Sequence, residues 1–390
     1  MASLSDLPQE LVAKIVAEFH DDTPNLRTCA VISRTFLPWS RLHLFSAVRL
    51  TGRNAYAFRI LIAPSPTVAM YVRQLDIPME VSLPTFALLP PQTLAHLPNV
   101  THLSSHCDPF GFRQLSATEK LVLVGATRQL TTVHVFIDRV WSLPEWAVLL
   151  NGCCSLTELA IHAESTGWSV EEAVVQMPVV APESTPRLHT LRISGDCKIL
   201  IPLGNWLVPS GFLAALHTLA TDVLYLQDDY DAPDYRQPIV LAAAPTLQTL
   251  SLHLDPPMTL AATPHAISIA SFPRLRKLHL RGVPDATIGA SLQWLVALLQ
   301  APTDISPGHG ALEEISVDHT MIRRDLLEIP HATWNALESA LLPEAKFRML
   351  TFKGYEGSAI GMADAFAHFS ATMRDRLPAL HAKGALQMLE

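Results

Sequence analysis

Apolar residues along most of this chain fall in short groups of one shape, clearest in residues 272 to 282, Phe-Pro-Arg-Leu-Arg-Lys-Leu-His-Leu-Arg-Gly. Leu278 and Leu280, two apart, suit one face of a short strand, and Leu275 enters from the preceding turn. The same spacing is met at Leu247/Leu250/Leu252, Leu188/Leu191/Ile193, Leu156/Leu159/Ile161, Leu130/Val133/Val135, Val72/Leu75/Ile77, Leu312/Ile315/Val317, Phe347/Leu350/Phe352 and Phe45/Val48/Leu50. Val100/Leu103 and Leu216/Leu219 are weaker copies, because Ser105 and Thr221 stand where the third apolar residue belongs. The eleven copies begin 26 to 37 residues apart. One such strand cannot hide its apolar face alone, so a self-similar period of this length predicts an array of stacked repeats.

The first 50 residues follow a different rule. Asp6 is placed to cap a helix with Gln9 three positions on, and Pro8 is tolerated in a first turn. Leu7, Leu11, Val12, Ile15, Val16 and Phe19 then recur at helical spacing. Asp21-Asp22-Thr23-Pro24 ends this helix and starts a second, in which Leu26, Cys29, Ala30, Ser33 and Phe36 share a face and which Pro38 closes. Trp39, Leu42 and Leu44 predict a short third helix before a strand over 45–50. Farther on, helices are expected at 54–63, 144–150, 292–299 and 334–342, with a closing helix at 362–377. Residues 83–98 are Pro-rich and read as irregular, and 226–240 reads as an acidic surface insertion.

The L-x-x-L-x-L spacing resembles the strand half of a leucine-rich repeat. The Asn or Cys that usually follows is missing: Arg281-Gly282-Val283 follows Leu280, and Ser194-Gly195-Asp196 follows Ile193. The turns must therefore be held by something else. In the head, the run Leu7-Pro8-Gln9-Glu10-Leu11-Val12-x-x-Ile15, then Leu26-x-x-Cys29-Ala30-x-Ile32-Ser33-Arg34-x-Phe36, and finally Leu44-Phe45, resembles the F-box motif over about an eighth of the chain. Phe36 stands where that family usually has Trp, and Ile32 where it usually has Val; both keep apolar character. F-box proteins are substrate-receptor subunits of Skp, cullin and F-box ubiquitin ligases. The resemblance implies docking on a Skp-type adaptor, and through it a cullin, by a surface that includes some of Leu7, Pro8, Leu11, Ile15, Leu26, Ile32 and Phe36, the others filling the head's own core. The expected architecture is α/β: a three-helix F-box at 1–50, an irregular leucine-rich-repeat solenoid at 51–360 with a curved parallel sheet and helices on the convex side, and a capping helix and tail at 361–390. The competing reading of the head is an amphipathic cap that shields the first repeat.

Composition narrows the partners. With 49% hydrophobic and 16% charged residues the chain is not disordered throughout. A net charge of −8 argues against a general nucleic-acid or anionic-membrane binder, which needs a basic surplus. No run of eighteen apolar residues and no signal peptide is seen, and five cysteines without paired metal spacing point to a reducing compartment, cytoplasm or nucleus.

Chemistry is not expected from the motifs present. Seventeen histidines include no H-E-x-x-H pair, and His102, His134, His162, His253 and His279 fall where side chains should point away from the apolar stripe. Gly357-Ser358 misses the nucleophile elbow because Gly361 comes one place late, and no phosphate loop is visible. No enzyme activity and no cofactor are expected; a hydrolase whose residues converge only in three dimensions is the competitor from another class. On a curved sheet the polar strand positions would face a target protein, with Arg192, His253, Lys277, His279, Arg281, Glu314 and Asp318 as candidate contacts.

Overall fold

The computed structural model describes residues 7–77, 90–106, 115–137, 143–163, 187–224, 237–253, 269–283, 288–300, 311–319, 329–343, 346–354 and 362–389. The chain is α/β, and it divides into two compact units, Met1–His162 with Val175–Pro186, and Ala163–Val174 with Arg187–Glu390.

The first unit opens with helices α1 (Gln9–Ala17), α2 (Thr23–Ile32) and α3 (Leu37–Ser46). Pro8 occupies the cap of α1 and supplies no side-chain bond; Asp6, the expected cap, lies outside the described residues. Asp22 does cap α2, its Oδ1 accepting the Asn25 N–H at 3.0 Å. Pro38 sits in the first turn of α3, so it opens the third helix where a stop for the second was expected. Val12, Val16, Leu26 and Phe36 form the head's core, with Leu7, Phe19, Cys29, Trp39 and Leu44 packed on it.

Strands β1 (Ala47–Arg49), β2 (Gln74–Ile77), β3 (His102–His106), β4 (Thr132–Ile137) and β5 (Glu158–Ala163) follow, neighbours in sequence being neighbours in the sheet. The pairings are parallel, with Leu75, Leu103 and Val133 in register on the buried side. Phe45, expected in the first strand, belongs to α3. The second unit repeats the plan with β6 (Thr190–Asp196), β7 (Thr218–Leu224), β8 (Thr249–His253), β9 (Lys277–Val283), β10 (Glu314–His319), β11 (Met349–Gly354) and β12 (Leu386–Leu389), again parallel and in order. The expected helices are found at Ala55–Ile62, Leu143–Gly152, Ile288–Gln300, His331–Leu341 and Met362–Arg376. Helices at Ala117–Thr127, Leu200–Ser210 and Pro378–Ala382, and strand β12, were not expected. Residues 91 to 95, read as irregular, form a helical turn.

In place of a side-chain ladder the turns are held by backbone. One carbonyl ahead of most strands, β2 to β4 and β6 to β10, accepts two consecutive amides from the next repeat. Thr101 O takes the N–H groups of Thr131 and Thr132 at 2.8 and 3.1 Å, and Thr131 O those of Thr157 and Glu158. In the second unit His189, His217, Gln248, Arg276 and Glu313 do the same for their successors. Thr131 and Thr157 reinforce the pattern, donating their hydroxyls to the carbonyls of Thr101 and Thr131. Each carbonyl's two lone pairs are thereby used, which satisfies the turn without an Asn side chain.

Gly195 has a residue-specific reason. Its φ is +98°, and a Cβ there would lie 1.7 Å from the Ala163 carbonyl oxygen. Only glycine fits that approach.

Candidate docking surfaces

Helix α1 carries a wider apolar stripe than its core can use. Val12 and Val16, one turn apart, face inward at 0% exposure, whereas Leu11 and Ile15, each rotated by about 100° from them, are 47% and 41% exposed. At the end of α2, Ile32 is 60% exposed and Val31 83%. Of the seven residues assigned to adaptor contact, Pro8, Leu11, Ile15 and Ile32 lie at the surface and Leu7 is half-buried. Leu26 and Phe36 are buried in the head's core, so they hold the three helices together and present nothing to a partner. Val31 was missed because the reading followed the face bearing Leu26, Cys29 and Ala30; an apolar β-branched residue off that face was the signal.

On the second unit the polar strand positions form rows set by register. One runs Thr218, Thr249, Lys277, Glu314, and the next Ala220, Ser251, His279, Ser316, Thr351. Charged groups are paired within the surface: Lys277 Nζ meets Glu314 Oε2 at 2.7 Å and Arg281 Nε reaches Asp318 Oδ2 at 4.0 Å, while His253 Nδ1 lies 2.9 Å from Asp222 Oδ1. Arg276 likewise reaches Glu313 at 3.9 Å. These exposed and half-exposed pairs contribute little stability. Arg192, Lys277 and Arg281 are exposed; His253, His279 and Glu314 are half-buried. Asp318, expected to face a target, is buried, as are Ser251 and Ser316, because short side chains here stand beside longer ones, His279 between Ser251 and Ser316 and Lys353 next to Asp318. Ser316 donates its hydroxyl to Asp318 Oδ1 at 3.1 Å. Burial holds the His279 imidazole below its ordinary value, with Lys353, Arg281 and Lys277 acting in the same sense and the Asp318 carboxylate opposing.

On the first unit a groove of about 360 Å³ lies over β1 to β4. Ala47, Ser104 and Thr132 are its short residues; Arg49, His102 and His134 are among the longer ones that line it. Arg49 Nε stands 3.5 Å from Asp76 Oδ2, and His102 Nδ1 is tied to the Thr101 hydroxyl at 2.8 Å. One row farther along, the His106 ring stacks on Phe136 with centroids 3.6 Å apart and planes 7° from parallel, and His162 approaches Phe136 at 5.3 Å.

Among the described residues no group of three His, Cys, Asp or Glu is placed to hold a metal ion, and no helix is long and apolar enough to cross a membrane. Burial pushes the Cys153 thiol up to about 12, which makes it a poor nucleophile. Gly357, Ser358 and Gly361 lie outside the described residues. No family model matches the chain, and no curated protein matches it.

Proposed function

We propose that this protein is the substrate receptor of an SCF-type ubiquitin ligase. The head docks on a Skp-type adaptor, and the parallel strands of the two units serve as turns of a leucine-rich-repeat solenoid that presents a target protein. The observation that carries the reading is the exposure of Leu11, Ile15 and Ile32, three positions of the F-box resemblance, beside exposed Val31, on a head whose core is made by Val12, Val16, Leu26 and Phe36. Covering the 41 to 60% of these side chains that is still in water favours a partner by roughly 0.6 to 1.8 kcal/mol each. The receptor performs no bond chemistry. It raises the effective concentration of a target lysine near the loaded ubiquitin carrier, which is the action of a tether. The matched charges between β9 and β10 favour a target whose own charges alternate, since a block of one sign would leave one member of each pair opposed.

The test is capture of the full chain by a purified Skp-type adaptor. Changing Leu11 and Ile15 together to Asp places charges at exposed positions that the core does not use, so the fold is retained and capture is lost. Capture that survives this change, or a wild-type chain that is not captured at all, leaves the head as an end cap and removes the ligase reading.

A further inference from the structure

The groove on the first unit is lined by residues of β1 to β4 and by none of the residues assigned to adaptor contact, and its surroundings indicate what it holds. Register places Asp76, Ser104 and His134 in one row across β2 to β4, and Gln74, His102 and Thr132 in the row beside it. Each row carries one imidazole next to one short side chain, in opposite order, so two rings stand diagonally with space at Ser104 and Thr132. In the following row the corresponding place is taken: Phe136 stacks against His106 and approaches His162. The same strand face therefore shows that a benzene ring fits beside imidazoles at this strand spacing.

Charge selects among possible occupants. Arg49 and Asp76 form an ion pair at 3.5 Å and cancel, so no surplus draws in a free anion or cation. The Thr101 hydroxyl fixes the His102 ring through Nδ1 and leaves Nε2 outside that bond. Asp76 and Gln74 offer oxygen acceptors at the edge of the space. A planar ring with a polar edge matches this set better than an aliphatic chain, which would leave the acceptors unanswered, or a carboxylate, which would oppose Asp76.

We propose that this groove seats one aromatic side chain, tyrosine by preference, carried by a protein segment that docks on the open strand face of the first unit. The site belongs to the first unit alone and does not depend on adaptor binding. The full chain, with its histidine rings labelled with carbon-13, is titrated with the blocked tripeptide Gly-Tyr-Gly, and separately with its Leu and Glu counterparts. His102→Asn and His134→Asn assign the two ring signals. The expected result is saturable shifts of both signals with the Tyr peptide, at a shared dissociation constant on the order of 1 mM for one ring, and a dissociation constant at least about tenfold higher with the Leu peptide. Ser104→Trp fills the space from within and lowers that affinity at least about tenfold, the equivalent of about 1.4 kcal/mol. Thr132→Phe does the same from the next strand should the first variant melt early. Equal affinity for the Leu peptide, tighter binding of the Glu peptide, or unchanged Tyr affinity in both filled variants overturns the proposal, as does an absence of saturable shifts with Tyr.

Discussion

Thr221 offers a direct test of the repeat packing. It stands on β7 at the position where the repeat calls for an apolar residue, 2% exposed, with Ile193 of β6 and Leu252 of β8 as its register neighbours. Its hydroxyl has no hydrogen-bond partner among the described residues. Burying a hydroxyl without a partner costs about 1 to 3 kcal/mol, judged from mutational series. Thr221→Val keeps the branched shape, replaces the hydroxyl by a methyl and suits a strand. The expected gain is about 1 to 2 kcal/mol. For a cooperative unit of about two hundred residues, each kcal/mol moves the midpoint by about 2 to 4 °C, so the melt should rise by about 2 to 8 °C. Urea titration followed by far-UV circular dichroism measures the gain at 25 °C, and a thermal scan gives the shift. Thr221→Ser, which keeps the hydroxyl and deletes the methyl, should fall by about 1 kcal/mol. A Val variant no more stable than wild type would mean that the hydroxyl is satisfied in solution, and that the β7 copy of the repeat is not packed as described. Ser105, wholly buried between Ile77 and Val135 with its hydroxyl likewise unpartnered, extends the test to the first unit through Ser105→Ala.

Three further outcomes are expected. Gly195→Ala should destabilise by more than about 2 kcal/mol in urea titration, because both the positive φ and the Ala163 carbonyl oppose a side chain. His279 has a folded-state proton affinity lowered by burial, so its contribution is fully present above the unfolded value near about 6.5 and declines as pH falls through it. His279→Gln should accordingly narrow the stability difference between pH 7.5 and pH 5, and an unchanged difference would show that the ring does not titrate as described. Exposed Cys154 should react with iodoacetamide in the native protein at pH 8 while buried Cys153, its thiol pushed up to about 12, is spared; peptide mass mapping distinguishes the two.

The strands were legible because period-two burial leaves a mark that tertiary context does not erase: every triplet from Val72 to Phe352 places apolar residues on the buried side of a strand. The turns were not, since any residue supplies a carbonyl and only coordinates reveal that Thr101 or Gln248 accepts two amides. Helix Ala117–Thr127 carried a readable sign in Ser116 and Glu119, which form a capping box. Helix Leu200–Ser210 hid behind Pro202, Gly204 and Pro209 in a run too apolar to show a face.

At the candidate surfaces the limits are of another kind. Which apolar residues of a small head turn inward depends on how three helices pack, so Leu26 and Phe36 could not be separated from Ile32 by spacing alone. The groove depends on the smallness of Ala47, Ser104 and Thr132, residues that register brings together from β1, β3 and β4. The burial of Asp318 has the same origin, in neighbours contributed by other repeats.

The central claim is that the head's exposed apolar residues bind an adaptor, and calorimetric titration of the full chain with a purified Skp-type adaptor tests it most directly. Saturable binding is expected, with Val31→Asp weakening it at least about tenfold, or about 1.4 kcal/mol, while the melting midpoint stays the same. No heat of binding from the wild-type chain, or identical affinity in the Val31→Asp protein and in the Leu11→Asp, Ile15→Asp double variant, would contradict the account.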